Sequence, residues 1–188
     1  FPHCHFVAVH AQRYPKAPAS SESAHPWAAA RGGASRRHVL ADDGERLTRS
    51  DLGLGRVGSR DAAFALCNFN QLYKLDPETF AVWSNALRRI PNAFLWLSRV
   101  SVRKDTSLYA QGNLLVEAAA NGVRTERLAF SFKFPQNDYV PFRALADLMV
   151  DNKAYNAHTT GADTLWAGVP AVLTASRHLA GRASAAFA

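Results

Sequence analysis

Residues 62–100, AAFALCNFNQLYKLDPETFAVWSNALRRIPNAFLWLSRV, set two short apolar runs on either side of one amphipathic stretch. AAFALC is a short buried strand, and the polar NFNQLYK after it is a loop. Asp76-Pro77 then marks a helix start, with Asp as N-cap and Pro at the first helical position, where a missing N–H costs nothing. Phe80, Trp83, Leu87 and Ile90 recur at spacings of three and four and define one helical face. Pro91-Asn92 breaks the helix, and AFLWLSRV is the next strand. A strand, a helix and a strand in so short a span imply a right-handed crossover between parallel strands.

The alternation continues. SLYAQGNLLVEAAANG is a second helix, stopped at Asn121-Gly122. RLAFSFKF is a strand, 137–145 a short helix, LMVD a strand and Thr160 to Ala167 a helix. VPAVLT makes a final strand before a last amphipathic helix in SRHLAGRASAAF. This is an α/β chain with a Rossmann-like parallel sheet covered on both faces, occupying residues 61–188. Two zones precede it. Residues 1–14 are apolar with His3, His5 and His10, and read as a buried strand leading into a loop. Residues 15–60, with AAARGGASRR at their centre, lack sustained periodicity and read as a mobile linker or poorly ordered insert.

At 188 residues the chain can bury one good core. Its 48% hydrophobic and 20% charged residues are a globular balance rather than that of a disordered chain. No uncharged apolar run approaches the length of a membrane span, and no basic-then-apolar leader opens the sequence. Phe1 stands where a start methionine would, which points to a piece of something longer. Cys4 and Cys67 have neither metal-ligand spacing nor the density of a disulfide framework, which fits a reducing interior. The net charge of +7 favours anionic partners, but no aromatic-interleaved basic motif points to nucleic acid. Neither G-x-G-x-x-G nor a Walker loop occurs, and no metal-ligand cluster appears.

In an open parallel sheet, ligands bind where the carboxyl ends of strands lead into helices. NFNQLYK and NAHTTG both lie on that rim. Thr160 and Asp163 have capping-box spacing, with Asp in place of Glu. A cap does not require Thr159, His158 or Gly161. A phosphate cradle uses them: free N–H groups and the positive end of the helix dipole attract anions, two hydroxyls add donors, and Gly lets the backbone approach. Lys74 is either a solvated surface lysine or a positive charge set against a phosphate leaving group, with Gln71 in the same loop. Asp163 beside a phosphate needs another task, either the cap or the acceptance of ribose hydroxyls.

CNFNQLYKLDPETFAVWSNALRRIPNAFLWLSR and ADLMVDNKAYNAHTTGADTLWAGVPAVLT closely resemble the C-terminal catalytic lobe of the protein O-GlcNAc transferases. The similarity covers about Leu47 to Ala188, and FPHCHFVAVHAQRYP resembles the closing segment of that family's other lobe. The resemblance implies the donor-binding lobe of an inverting GT-B glycosyltransferase. Such enzymes move N-acetylglucosamine from UDP-GlcNAc to Ser and Thr of acceptor proteins in cytoplasm and nucleus. By the same resemblance Gln71 and Lys74 bind UDP, with Lys74 at the diphosphate and catalytic. His158, Thr159 and Thr160 wrap the phosphates, Asp163 holds the ribose, and His3 lines the active site. The resemblance implies no metal or other cofactor, and no nucleic-acid or membrane partner.

There are departures. The family usually has Pro-Lys followed by a His that stacks on uracil; this chain reads Pro135-Gln136-Asn137-Asp138-Tyr139. Tyr139 keeps an aromatic face, Gln136 lacks the charge, and Phe142 stands where an arginine is usual, beside Arg143. Most of the N-terminal lobe, the tetratricopeptide superhelix and the C-terminal tail of the family are not in this sequence, which implies a donor-binding part inactive by itself. Two alternatives stay open: a catalytically inactive UDP-sugar-binding or scaffold module, and a protein O-fucosyltransferase using GDP-fucose.

Overall fold

The computed structural model describes residues 38–40, 46–49, 52, 54, 63–98, 104–131 and 139–186. A short antiparallel pair, β1 (His38–Leu40) and β2 (Arg46–Thr48), precedes the main sheet. That sheet contains β3 (Phe64–Asn68), β4 (Ala93–Ser98), β5 (Leu128–Ser131), β6 (Leu148–Val150) and β7 (Ala171–Val172). The strands lie in the order β5-β4-β3-β6-β7, and every neighbouring pair is parallel. The helices are α1 (Pro77–Arg89), α2 (Lys104–Ala120), α3 (Tyr139–Arg143) and α4 (Thr159–Trp166). From β3 the chain steps outward through β4 to β5. It then returns to the other flank of β3 with β6 and steps outward again to β7. Strand order therefore reverses between β3 and β6, where open α/β sheets bind ligands.

Alternate side chains of each strand enter opposite cores. Ala65, Cys67, Phe94, Trp96 and Ala129 pack with Val140, Phe142, Leu145 and Ala167, on the side of α3 and α4. Leu66, Leu95, Leu97 and Leu128 pack with Phe80, Trp83, Leu87 and Ala118, on the side of α1 and α2. Every residue of β4 is buried, as expected of a strand with neighbours on both edges and helices over both faces. The Trp96 indole N–H donates to Ser131 Oγ at 2.9 Å, satisfying the only polar atom of that side chain within the core.

The start of α1 is as its sequence predicts. The Asp76 carboxylate accepts the Thr79 N–H at 2.8 Å, and Pro77 occupies the first turn. Ile90 departs from the expected buried face. It follows the last helical residue, where the backbone leaves helical geometry and turns the side chain outward, 41% exposed. Gly122 adopts φ +72°, and the Val123 N–H reaches back to the Ala118 carbonyl at 2.8 Å, closing α2 in a left-handed cap.

The C-terminal stretch is not the amphipathic helix expected for SRHLAGRASAAF. Among its described residues it forms two 3-10 turns, Leu179–Gly181 and Ser184–Ala186. Its backbone is tied to the rest of the fold where the Asn156 N–H donates to the Ala180 carbonyl, while the Ser176 N–H closes a turn within the stretch on the Gly181 carbonyl, each at 2.8 Å. Gly181 packs so closely that a Cβ there would collide with the Ser176 side chain and stand 2.9 Å from the Lys153 carbonyl oxygen. The strand expected over VPAVLT contracts to β7, two residues long.

Part of the stretch read as a linker belongs to the fold. Besides β1 and β2 it contributes Leu54 to the core and Arg49, which is 1% exposed. Arg49 Nε donates to the Leu145 carbonyl at 2.8 Å, and Nη2 meets Asp147 Oδ2 at 2.7 Å. The same Asp147 oxygen accepts the Ala65 N–H at 2.8 Å. One ion pair thus ties this segment to the starts of β3 and β6. Replacing Arg49 with Met strands a largely buried carboxylate, so Arg49→Met is expected to lower unfolding free energy by about 3 kcal/mol. Urea denaturation measures this, and a loss below about 1 kcal/mol would contradict the anchoring role.

Candidate functional site

The loops leaving β3 and β6 meet where strand order reverses, and a buried amide network joins them. Asn68, at the end of β3, donates from Nδ2 to the Val150 carbonyl at 2.7 Å and to Asn152 Oδ1 at 2.9 Å. Asn70 Nδ2 donates to the same Asn152 oxygen at 2.8 Å and to Asp151 Oδ1 at 3.2 Å. Asn152 Nδ2 returns the link to the Lys74 carbonyl at 3.1 Å, and Asn156 Nδ2 donates to the Asn152 carbonyl at 2.6 Å. These four asparagines are nearly inaccessible to water. Their bonds satisfy loop backbone that no sheet neighbour serves.

Over this network stands Lys74, at the end of a 3-10 turn, Leu72–Lys74, inside what the sequence presents as a plain polar loop. Gln71 opens that turn, and its carbonyl accepts the Lys74 N–H at 3.0 Å. The Lys74 ammonium lies 3.4 Å from the Asn156 carbonyl oxygen and 4.0 Å from the centre of the Tyr155 ring. The Tyr155 ring is 5.2 Å from that of His158. Lys74 is therefore set against the turn that leads directly into His158, Thr159 and Thr160. Removal of water from the ammonium draws the Lys74 pKa below the usual lysine range, opposed by the Asp151 carboxylate, which pulls it up.

Helix α4 begins at Thr159, one residue earlier than the sequence suggests, with His158 as its N-cap. The capping-box reading of Thr160 and Asp163 does not hold, because no side chain caps this end. The reason is Arg143, buried at the close of α3. Its Nη1 donates to the Thr160 carbonyl at 2.6 Å and to Thr164 Oγ1 at 2.7 Å, and its Nη2 stands 3.7 Å from Asp163 Oδ2. The guanidinium also lies 5.1 Å from the Phe69 ring centre. Arg143 thus fixes the first turn of α4 from within and draws Asp163 toward itself rather than toward the helix start. The first intrahelical bonds run from Gly161 and Ala162 to the His158 carbonyl, at 3.0 and 3.1 Å. The earlier N–H groups, those of Thr159 and Thr160, are the ones a helix of this kind offers to an anion.

Of the residues singled out in the sequence, the structure brings Gln71, Lys74, His158, Thr159, Thr160 and Asp163 to one rim. His3 and Gln136 lie outside the described residues, as does the side chain of Tyr139. Phe142 is in the core against α3's own face of the sheet. Sequence reasoning passed over Asp151, Asn152, Tyr155, Asn156 and Ser184, and left Arg143 without a role. The available signal was the asparagines shared by the two rim loops, Asn68 and Asn70 in one, Asn152 and Asn156 in the other. Among the described residues, no group of three or more His, Cys, Asp or Glu side chains is placed to hold a metal ion, and no helix is long and apolar enough to cross a membrane.

Fold and site together define an open parallel α/β domain with a cationic, hydrogen-bond-rich rim at its switch point. Residues 35–187 match the profile of glycosyl transferase family 41. The chain is 36% identical over 133 residues to a probable UDP-N-acetylglucosamine–peptide N-acetylglucosaminyltransferase of Arabidopsis thaliana, covering 71% of this chain and 12% of that protein. It is 34% identical over 152 residues to the UDP-N-acetylglucosamine–peptide N-acetylglucosaminyltransferase of Caenorhabditis elegans, covering 80% of this chain and 13% of that one. A solved structure of a mutant O-GlcNAc transferase from Thermobaculum terrenum superimposes with a TM-score of 0.61 at 27% identity, covering 66% of this chain and 24% of that chain. The chain belongs to glycosyl transferase family 41. It spans about an eighth of the length of the two curated relatives.

The electrostatics of Lys74 are directly measurable. Because the charged form loses hydration on burial, its amine is expected to lose its proton below lysine's ordinary pKa of about 10.4. Side-chain NMR of the titrating lysines checks this, and a Lys74 midpoint at or above that value would contradict the burial described here.

Proposed function

We propose that the protein carrying this chain transfers N-acetylglucosamine from UDP-GlcNAc to Ser and Thr hydroxyls of proteins in cytoplasm and nucleus, and that the chain supplies its donor-binding part. One observation carries the reading: Lys74 from the β3 loop and the turn entering His158-Thr159-Thr160 from the β6 loop stand against each other, with 3.4 Å between the ammonium and the Asn156 carbonyl. A cation and a helix start both attract a diphosphate. In the proposed site Gln71 and Lys74 bind UDP, and His158, Thr159 and Thr160 enclose the phosphates. Asp163, steadied by Arg143, accepts ribose hydroxyls, and His3 lines the active site.

The reaction proposed is an in-line displacement with inversion. The acceptor oxygen attacks the anomeric carbon, the bond from that carbon to the β-phosphate oxygen breaks, and UDP leaves with the electron pair. The acceptor proton passes to a base outside the described residues or to water. Charge gathers on the diphosphate as the bond breaks, so Lys74 and the positive end of α4 act most strongly in the transition state. No resident metal is part of this scheme.

A second reading, donor binding without transfer, is favoured by Phe142. Its side chain is in the core, so the arginine usual there has no substitute at that position. Two measurements separate the readings. Calorimetry on the chain is expected to show UDP binding in preference to GDP, and equal or tighter GDP binding would favour a fucosyl donor. In the intact protein, Lys74→Ala is expected to reduce transfer to a peptide from radiolabelled donor by about 100- to 1,000-fold. Unchanged turnover would remove Lys74 from the mechanism, and UDP binding with no transfer by the unaltered protein would establish the second reading.

A further inference from the structure

Asp151 follows β6 directly, and the donor scheme above gives it no task. Yet its carboxylate is where three separate segments meet. Oδ1 accepts the N–H groups of Asn152 and Ala157, each at 2.8 Å, and Asn70 Nδ2 at 3.2 Å. Oδ2 lies 3.1 Å from the Ala157 nitrogen and accepts from the Ser184 hydroxyl, which also reaches the Ala157 carbonyl at 2.6 Å. Asn70 belongs to the loop carrying Gln71 and Lys74, Ala157 immediately precedes His158, and Ser184 opens the second of the two C-terminal 3-10 turns.

Burial disfavours the ionised form of this carboxyl and pushes its pKa up, against the hydrogen bonds from Ser184, Ala157, Asn152 and Asn70. An amide of the same shape would keep an acceptor for the donors on Oδ1 and could donate to Ser184 Oγ, but its Nδ2 would lose the Ala157 N–H that Oδ2 also accepts. A carboxylate serves all of these donors and carries a charge besides. Its charge reaches Lys74, whose pKa it raises against the larger, lowering effect of burial. The other charged groups near that turn are engaged elsewhere: Asp76 holds Thr79, Glu78 pairs with Lys153 at 2.7 Å, and Asp163 faces Arg143. Tyr155 and His158 present rings.

We propose that Asp151 is a positioning residue of the donor site, holding the 156–160 loop and the Asn70–Lys74 turn in one register through the hydrogen bonds that meet on its carboxylate. The proposal rests on the UDP-binding reading of the site. It makes Asp151 the fastening that stops the two loops from separating, with its negative charge opposing the burial that lowers the Lys74 pKa.

The test is calorimetry of UDP binding from neutral to alkaline pH, with thermal unfolding, on the chain itself, Asp151→Asn, Lys74→Met and the double variant. Asp151→Asn, which retains the bonds on Oδ1, is expected to melt within a few degrees of the parent and to bind UDP roughly tenfold more weakly. Its loss of binding at alkaline pH is expected to begin at lower pH, because an ammonium without its anionic neighbour deprotonates more easily. In the Lys74→Met background, Asp151→Asn is expected to cost much less. Ser184→Ala, which removes one fastening and no charge, is expected to weaken binding without moving the alkaline limb. Parent-like UDP affinity and pH dependence in Asp151→Asn, or an equal fold-loss with and without Lys74, overturns the proposal. A parent chain that binds no UDP removes the donor-site reading, and this proposal with it.

Discussion

The reversal of strand order between β3 and β6 is the constraint from which the site follows. On one side of β3 the chain winds toward β5, and on the other it winds toward β7. The two connections that leave these adjacent strands depart to opposite faces, so neither loop can complete the backbone hydrogen bonding of the other by extending the sheet. Backbone polar groups at such a point need other partners or water. Asn68, Asn70, Asn152 and Asn156 answer that need with side-chain amides, which donate and accept at once and so can chain across the gap. A packed apolar plug would close the same gap and leave nothing polar to meet a ligand.

Charge is distributed with the same economy. Three cations serve three different purposes. Arg49 is buried against Asp147 at the starts of the strands, where it ties an earlier segment to the sheet. Arg143 is buried beneath α4, where its planar fork reaches a carbonyl, a hydroxyl and a carboxylate together, which a lysine ammonium on a flexible stem would do less well. Lys74 alone of the three stands half-buried on the rim, with an aromatic face beneath it and a carboxylate within its field.

The C-terminal stretch bears on the same rim. Its residues give up helical bonding to grip the loop before α4, through the Ala180 carbonyl, the close approach of Gly181 and the Ser184 hydroxyl. A segment that reads as peripheral in the sequence thus holds the turn before α4 in place. Its small residues are what make the approach possible, since a Cβ at Gly181 has no room.

Much of this protein was legible in the order of its residues. The Asp76-Pro77 start, the left-handed stop at Gly122 and the strands around Cys67 and Trp96 are local matters, decided by capping chemistry and side-chain periodicity, and they stand as read. The family motifs FNQLYK and HTTG were equally legible, because their meaning lies in residue types at fixed spacing. Strand order was not, since it depends on which apolar strands find each other across dozens of residues. Nor was the task of Asp151, Arg143 or Ser184, whose partners lie in other segments. Ile90 and the closing stretch show the same limit from the other side: helical periodicity was present in both, but the cap geometry in one and tertiary hydrogen bonds in the other overrode it. Local pattern determined the elements from Phe64 to Trp166 and marked two rim loops as candidates; only packing decided that those loops face each other, and what holds them there.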